Sequence, residues 1–374
     1  MTISMNTQLN ITNKKEKQKT SWMQELTNYS VPILFIIICL LGVYASKLNP
    51  VYIINEIVVR LARNLFLVLA LIIPVIAGMG LNFAIVIGAM AGQIGIIAIK
   101  VFDMGGLSGF MMAVLISTPF ALLFGYGTGL ILNKTKGKEM ITSLMLGYFA
   151  NGLYQLVFLT FMGTIIPIDN PEIILSNGMG LKNALDLKFI QYSIDYILRP
   201  NIMGIKIPVV SLLLVVVLCF IIRFIVKTKL GQDFRALGQD INIAEVSGIK
   251  TDKTRLIAIT ISTVLAAWGQ IIFLQNIGTL NTYNSHEQVG MFAIAALLVG
   301  GASVTKATIG QAIVGTLLFH TLFIVSPFAG KNLFGDSQIG EYFRSFIAYG
   351  VIALSLVLHA WQKYMNARNK EKLE

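Results

Sequence analysis

The sequence contains long stretches without charged residues. Only 13% of its residues are Asp, Glu, Lys or Arg, whereas 55% are hydrophobic, and the mean hydropathy is +0.74. Four stretches contain no ionisable Asp, Glu, Lys, Arg or His: residues 64–99, 104–133, 140–168 and 256–285. Each exceeds the roughly 20 apolar residues that cross the core of a bilayer. A soluble fold is thereby excluded, and the sequence predicts an all-α polytopic membrane protein.

Groups that could perform bond-making chemistry are also scarce. The two cysteines, Cys39 and Cys219, lie inside apolar runs, so neither a disulfide nor a metal framework is expected. The histidines are scattered without metal-ligand spacing: His286, His320 and His359. Two glycine-containing segments, 129–135 and 300–308, lack the Gly-Lys-Ser/Thr ending of a phosphate loop. No catalytic residue, cofactor or metal is therefore predicted, and the chain is not expected to be an enzyme.

The apolar runs divide into about ten predicted spans. They are 31–46, 59–78, 81–101, 108–132, 141–163, 208–227, 256–275, 288–304, 308–326 and 343–361. Basic residues cluster before the first span, at 134–138 and at the C-terminus, which places both termini in the cytoplasm by the positive-inside rule. The net charge of +11 thus follows from topology, and no nucleic-acid partner is expected.

This topology defines the predicted domain organisation. A cytoplasmic tail, 1–28, precedes a transmembrane domain, 29–363, and a second cytoplasmic tail, 364–374, closes the chain. The domain contains an outer loop, 164–207, with equal numbers of acidic and basic residues, and a cytoplasmic loop, 228–255. An alternative is that the first span is a signal peptide, because Val43-Tyr44-Ala45 loosely resembles a cleavage site.

Two features suggest internal organisation of the membrane domain. Gly78-Met79-Gly80-Leu81-Asn82 joins spans two and three, either as a break in a discontinuous helix or as a tight helical hairpin. Phe83-Ala84-Ile85 in span three recurs as Phe292-Ala293-Ile294 in span eight. A separation of five spans is what two inverted five-helix repeats require, an architecture common among transporters.

Polar residues inside the spans are candidates for a substrate path. Most are neutral amides, which either hydrogen-bond a polar solute or join helices: Asn64, Asn82, Gln93, Asn151, Gln155, Gln270 and Gln275. Ionisable residues such as Arg60 and Arg63 fall at predicted span ends, and His320 alone lies deep in a span, where a helix-to-helix hydrogen bond is expected. Because no buried carboxylate is predicted, an ion gradient is not the expected energy source.

The polar stretch 231–257 carries a recognisable pattern. Arg235-Ala236-Leu237-Gly238-Gln239-Asp240, followed by Ala244 and Ser247-Gly248-Ile249, resembles the cytoplasmic loop of the inner-membrane permeases of bacterial ABC importers. The family is the one for ribose, simple sugars and branched-chain amino acids. The likeness continues in three later segments: 293–296, 299–303 and 310–317. It departs at Asp240, where the family usually has Asn, at Glu245, where it often has Ala, and at 304–307.

The resemblance implies a short coupling helix at 241–247 that docks in a groove of a cytoplasmic ATPase. Ala244 and Gly248, four residues apart, would share the contact face, with polar residues at its rim. The implied coupling residues are Arg235, Gly238, Asp240, Ala244, Glu245, Ser247 and Gly248, and the implied helix-packing glycines are Gly300, Gly301, Gly310 and Gly315. The alternative is a solvated amphipathic loop.

The same resemblance implies the partners. They are cytoplasmic ATP-binding subunits, a second permease that is identical or related, an extracytoplasmic solute-binding protein, and the lipid of a bacterial inner membrane. The expected cargo is a simple sugar such as ribose or galactose, and Asn82 and Gln93 also resemble a nucleoside-type branch. A nucleoside or branched-chain amino acid cargo therefore stays open. The rival of another class is a secondary transporter that works without ATP.

Overall fold

The computed structural model describes residues 31–168 and 170–371, so the predicted tail 1–28 lies outside the described residues. The described chain is predominantly helical. Its helices are α1 (Val31–Ser46), α2 (Pro50–Ala70), α3 (Ile72–Ile76), α4 (Ile85–Val101), α5 (Gly106–Lys134), α6 (Glu139–Leu156), α7 (Val209–Lys227), α8 (Lys229–Gln239), α9 (Ile241–Val246), α10 (Thr251–Ile277), α11 (Ser285–Val299), α12 (Ile309–Phe334) and α13 (Ser337–Glu371).

Six helical segments are long and apolar enough to cross a membrane. They are α2 with α3, α5, α6 with the π-helical turn Val157–Phe161, α7, α10 and α12. Shorter apolar helices are α1, α4 and α11. The prediction of a multi-pass helical membrane protein is confirmed, whereas the total of ten spans and the inverted repeats stay predictions.

The helices differ in how much of their surface is buried. α10 packs against α2, α4 and α5, and α4 and α11 are enclosed on nearly all sides. α7 instead exposes large apolar side chains, among them Leu213, Phe220 and Phe224. A helix that is apolar all round is a core or membrane helix, and its exposed apolar face is suited to lipid. The core therefore lies around α4, α10 and α11.

α2 begins earlier than the sequence predicts. Asn49 caps it by accepting a hydrogen bond from the Val51 N–H at 2.9 Å, and Pro50 takes the first helical position, where its missing N–H costs nothing. Arg60 and Arg63 consequently lie about 15 and 20 Å along the helix, at 1.5 Å per residue. These arginines therefore lie inside the helical segment Pro50–Ile76, which is long and apolar enough to cross a membrane, and not at its first residues.

The connection between α3 and α4 is a buried, non-helical segment, residues 77–84. Its backbone groups find partners within the chain: the Phe83 N–H donates to Ser143 Oγ at 3.2 Å, and the Ala84 N–H donates to the side chain of Asn82 at 3.1 Å. Gly78 has a φ of 73°, which favours glycine. This enclosed irregular backbone is longer than the turn of a tight helical hairpin, which favours the alternative of a break.

The predicted outer loop forms a compact layer over the bundle. β1 (Ala184–Asp186) pairs antiparallel with β4 (Thr279–Asn281), and β2 (Asn201–Ile202) pairs with β3 (Ile205–Lys206). Lys100 Nζ lies 2.7 Å from the Glu172 carboxylate, and this hydrogen bond and charge hold the pKa of Glu172 below its usual range. The segment is thus tied to the ends of α4 and α10.

Two glycines allow α11 and α12 to touch through their backbones. A side chain on Gly315 would meet the carbonyl of Ala296, and one on Gly300 would meet Gly315 N at 2.9 Å. Gly301 turns the chain with a φ of 84°. An added Cβ on Gly310 has no heavy atom within 4 Å in the described chain, so the packing role predicted for Gly310 finds no support there.

We expect Gly315→Val to destabilise the protein by about 1–3 kcal/mol, because the added carbons force α11 and α12 apart. Gly310→Val, five residues earlier in the same helix, is the matched control and should leave stability nearly unchanged. The thermal unfolding midpoint of each purified variant in the same detergent measures the effect. Equal midpoints for both variants would contradict the proposed close approach.

Candidate functional site

The predicted coupling residues lie on α8 and α9, two short helices after α7. Asp240 ends α8 and caps α9: its Oδ1 accepts hydrogen bonds from the N–H groups of Asn242 at 2.8 Å and Ile243 at 3.2 Å. Aspartate is among the favoured N-cap residues, so this departure from the family pattern keeps a cap. Ser247 Oγ donates back to the Ile243 carbonyl at 2.7 Å. The predicted helix at 241–247 is therefore present as Ile241–Val246.

The outward face of α9 differs from the predicted one. Ala244 is 2% exposed and anchors α9 to the rest of the chain, whereas Ile243 and Val246 are 67% and 90% exposed. The prediction that Ala244 forms the contact face is therefore corrected. Adjacent exposed apolar side chains on an otherwise polar helix are typical of a surface that a partner covers. Glu245 and Gly248 are exposed next to them.

Arg235 is directed toward α7. Its guanidinium donates to the Val226 carbonyl at 2.8 Å and more weakly to the Gly231 carbonyl at 3.4 Å. These bonds satisfy carbonyls at the junction of α7 and α8. Arg235 thus fixes the angle at which α8 leaves the membrane helix, a positioning role beside the rim role that the sequence predicts.

Gly238 brings α8 into backbone contact with the buried break. A side chain on Gly238 would strike the Ile76 carbonyl, and a Cβ on Gly78 would lie 2.7 Å from the Gly238 Cα. Because protein interiors are close-packed, two backbones in direct contact shift together more readily than separated ones. The cytoplasmic segment is therefore seated directly on the end of α3.

A second polar cluster joins α4, α6 and α11 inside the bundle. Gln93 Oε1 accepts a hydrogen bond from the Tyr154 hydroxyl at 2.9 Å and lies 2.9 Å from His286 Nδ1. The other ring nitrogen, His286 Nε2, lies 2.9 Å from Asn151 Oδ1, and Gln155 Nε2 lies 3.4 Å from the same oxygen. Three predicted path residues, Gln93, Asn151 and Gln155, are thus brought together.

The other predicted path residues are dispersed. Gln270 Nε2 donates to Ser285 Oγ at 3.3 Å, Asn82 lies in the break, and Gln275 Nε2 donates to the Asp195 carboxylate at 3.3 Å. Asn64 Nδ2 donates to the Arg60 carbonyl at 2.8 Å, one turn back on α2. Gln270 and Gln275 thus join separate parts of the fold, as the helix-joining interpretation predicts, whereas Asn64 and Asn82 bond within their own segments.

Asp195 is a buried carboxylate that sequence reasoning missed. It is 1% exposed and accepts hydrogen bonds from Ser211, from Gln275 and from Asn276 Nδ2, the last at 2.6 Å. Asn276 Oδ1 in turn accepts from Arg63 at 3.1 Å. The prediction that no carboxylate is buried is therefore wrong. No local pattern marks Asp195, because it lies in the predicted outer loop and is enclosed only by the tertiary fold.

Four helices enclose a cavity of about 110 Å³ around the arginines of α2. Its lining residues are Arg60, Arg63, Asn64, Leu67, Val68, Phe273, Val289, Phe292, Ala293, His320 and Phe323. A charged side chain at the centre of a membrane helix costs about 2.5–3.5 kcal/mol on insertion scales, and such residues mark functional sites by default. The cavity therefore requires a functional explanation.

Residues 53–359 match the family model for the permease component of branched-chain amino acid transport systems. The chain belongs to this permease family. The match spans nearly the whole membrane domain, so the resemblance carried by residues 231–318 is confirmed and extends to the N-terminal half. The permease is thus a transport subunit, as expected.

Relatives of similar length support this assignment. The permease is 23% identical over 290 residues to a fructose import permease protein of Bifidobacterium longum, covering 75% of this chain and 77% of that protein. It is 23% identical over 332 residues to an autoinducer 2 import system permease protein of Photorhabdus luminescens, 88% and 89% of the two chains. A ribose import permease protein of Bacillus subtilis is 24% identical over 329 residues, 87% and 90% of the two chains. No solved structure matches the chain.

We expect Gln93→Leu to destabilise the permease by about 1–3 kcal/mol for each buried polar group left without a partner. The groups affected are the Tyr154 hydroxyl and His286 Nδ1. Gln155→Leu is the matched control, because Gln155 lies at the half-buried end of the cluster with one long hydrogen bond. Denaturation midpoints in detergent compare the two. A larger loss for Gln155→Leu would contradict the central position of Gln93.

Proposed function

We propose that the permease is the transmembrane subunit of an ABC importer that carries a simple sugar across a bacterial inner membrane. The observation that supports this cargo is that relatives matched over three quarters or more of their length are named for the import of fructose and ribose, and a shorter match is named for xylose. The polar interior of the bundle agrees with such a cargo. Amides, a tyrosine, histidines and arginines offer donors and acceptors that suit hydroxyl groups.

Energy would come from ATP-binding subunits docked at α9. Ile243 and Val246 supply an apolar patch that a groove on such a subunit would cover, as at the centre of other interfaces. The Gly238–Gly78 contact would pass a shift of α9 to the end of α3. In this arrangement Ala244, Asp240 and Ser247 build the docking helix, and Ile243 and Val246 make the contact.

The remaining parts of the proposal follow the family. A second permease would complete the pathway, and an extracytoplasmic binding protein would deliver the sugar to the layer formed by residues 164–207. Ten spans, as two inverted repeats with both termini in the cytoplasm, would make up the domain 29–363. The basic loop after α5, with Lys134, Lys136 and Lys138, agrees with this orientation.

The cargo is tested by reconstituting the permease into liposomes with its ATP-binding subunits and its solute-binding protein. Uptake of labelled D-ribose, D-fructose and D-xylose is measured with ATP, without ATP, and with an uncoupler. We expect ATP-dependent uptake of at least one sugar that the uncoupler leaves unchanged. Gradient-driven uptake without ATP would favour a secondary transporter, and uptake of leucine or a nucleoside alone would contradict the sugar assignment.

We expect Val246→Asp to weaken binding of the ATP-binding subunit by about tenfold or more, because a charge replaces a side chain at the centre of the apolar patch. Asn242→Asp adds the same charge at an exposed neighbouring position and should bind normally. The measurement is the amount of ATP-binding subunit that copurifies with each variant. Normal assembly of Val246→Asp would rule out docking through this face of α9.

A further inference from the structure

The cavity around Arg63 is set among helices from both halves of the chain. α2 contributes Arg63 and Asn64, α10 contributes Phe273, and α11 and α12 contribute Phe292 and His320. Arg63 lies about 20 Å along α2 from its first residue, Pro50, and side chains of four helices bound the cavity. A solute that crosses the bundle between these helices would meet this cavity.

The polar groups of the cavity are left with unused hydrogen-bonding capacity. Among the described residues Arg63 Nε and His320 Nδ1 are buried and have no hydrogen-bond partner, and His320 is 7% exposed. The predicted helix-to-helix hydrogen bond of His320 is therefore not formed through Nδ1. Buried polar atoms are usually paired in native proteins. Unpaired ones also occur away from the cavity, for example Gln93 Nε2 and Gln270 Oε1, but among the described residues only Arg63 Nε and His320 Nδ1 belong to side chains that line it, where a ligand would complete them.

The charges around the cavity define which ligand atoms would fit. Glu56 lies 3.4 Å from Arg60, and Asp195 reaches Arg63 only through Asn276, but no carboxylate of the described chain lines the cavity. The wall therefore offers mainly donors from the two arginines. It would favour a ligand rich in acceptor oxygens, since arginine has five N–H donors and no acceptor.

Aromatic rings form the apolar part of the wall. Phe292 and Phe323 meet edge to face with ring centroids 4.9 Å apart, and the Arg63 guanidinium lies 5.7 Å from the centroid of Phe273. Rigid apolar faces beside a few placed polar groups are the usual composition of a small-molecule site. A sugar ring has both matching surfaces, C–H groups for the rings and hydroxyl oxygens for the donors.

We propose that the cavity lined by Arg63, Asn64 and His320 is the solute-binding position of the transport path. Its ligand is a sugar whose oxygens hydrogen-bond to the Arg63 guanidinium, which donates, and to His320 Nδ1, which donates or accepts according to the tautomer, and whose C–H face packs on Phe273 and Phe292. This assignment rests on the proposed function and extends it to named contacts. At about 110 Å³ the cavity is smaller than typical ligand pockets of roughly 300 Å³ or more, so sugar binding requires α2 to separate from α11.

The test is Arg63→Gln in the complete reconstituted importer. We expect ATP-dependent sugar flux to fall by about tenfold or more, the loss typical of one hydrogen bond from a charged group. ATP hydrolysis stimulated by the loaded binding protein should persist, because docking of the partners does not involve the cavity. Arg223→Gln is the matched control: Arg223 is an exposed arginine of α7, and its variant should transport normally.

A second variant removes space and leaves every charge in place. Ala293→Leu fills the cavity, and we expect the same separation of low flux from intact ATP hydrolysis. Comparing the flux of a neutral sugar, D-ribose, with that of its acid, D-ribonate, shows whether Arg63 donates to a hydroxyl or to an anionic oxygen. Selective loss of either in Arg63→Gln supports the assignment.

The outcomes separate the two proposals. Wild-type flux in both Arg63→Gln and Ala293→Leu would overturn the cavity assignment and leave the importer function intact. Parallel loss of flux, ATP hydrolysis and assembly in both variants would also overturn it, since that is the pattern of a structural role. Absence of ATP-dependent flux of any sugar in the wild-type importer would instead contradict the proposed function.

Discussion

The absence of water from the bilayer core is the constraint on which the rest of the structure depends. Every buried polar group must find its partner inside the chain, because an unsatisfied one costs several kcal/mol in hydrocarbon. The non-helical segment 77–84 meets this requirement through Asn82 and Ser143. Gln93 Oε1 meets it through Tyr154 and His286. Some buried polar atoms of the described residues nevertheless have no partner, among them Asn82 Nδ2, Gln93 Nε2 and Arg63 Nε, and of these three only Arg63 lines the cavity.

α11 contributes side chains to both polar regions of the bundle, the Gln93 cluster and the arginine cavity. His286 reaches Gln93 of α4, whereas Val289 and Phe292, farther along the same helix, line the arginine cavity. The close approach of Gly300 and Gly315 ties the end of α11 to α12. A rigid helix anchored in this way moves as a unit, so opening the cavity would also strain the Gln93 cluster.

Features that extend over many residues were predictable from the sequence. Charge-free stretches gave the membrane class, and the pattern from Arg235 to Ile249 placed the short helix to within a residue of Ile241–Val246. Prediction failed where charged residues are enclosed by the folded chain and do not lie at its surface. The start of α2 was placed after Pro50 because arginine lowers hydropathy, although Asn49 and Pro50 are clear helix-start signals. Asp195 had no local signal, since distant residues bury it.

The α2–α3 pair connects the arginine cavity with the cytoplasmic segment that would contact the ATP-binding subunits. Gly78, beyond α3, touches Gly238 of the cytoplasmic segment, and Arg63 lines the cavity on the same pair of helices. The pair is interrupted at Leu71, because Pro74 lacks the N–H that would bond the carbonyl of residue 70 and its ring crowds that carbonyl. A kink at Leu71 would let α3 tilt relative to α2. Tilting α3 against α8 would then change the angle of α2, which is the helix that must leave α11 for the cavity to open.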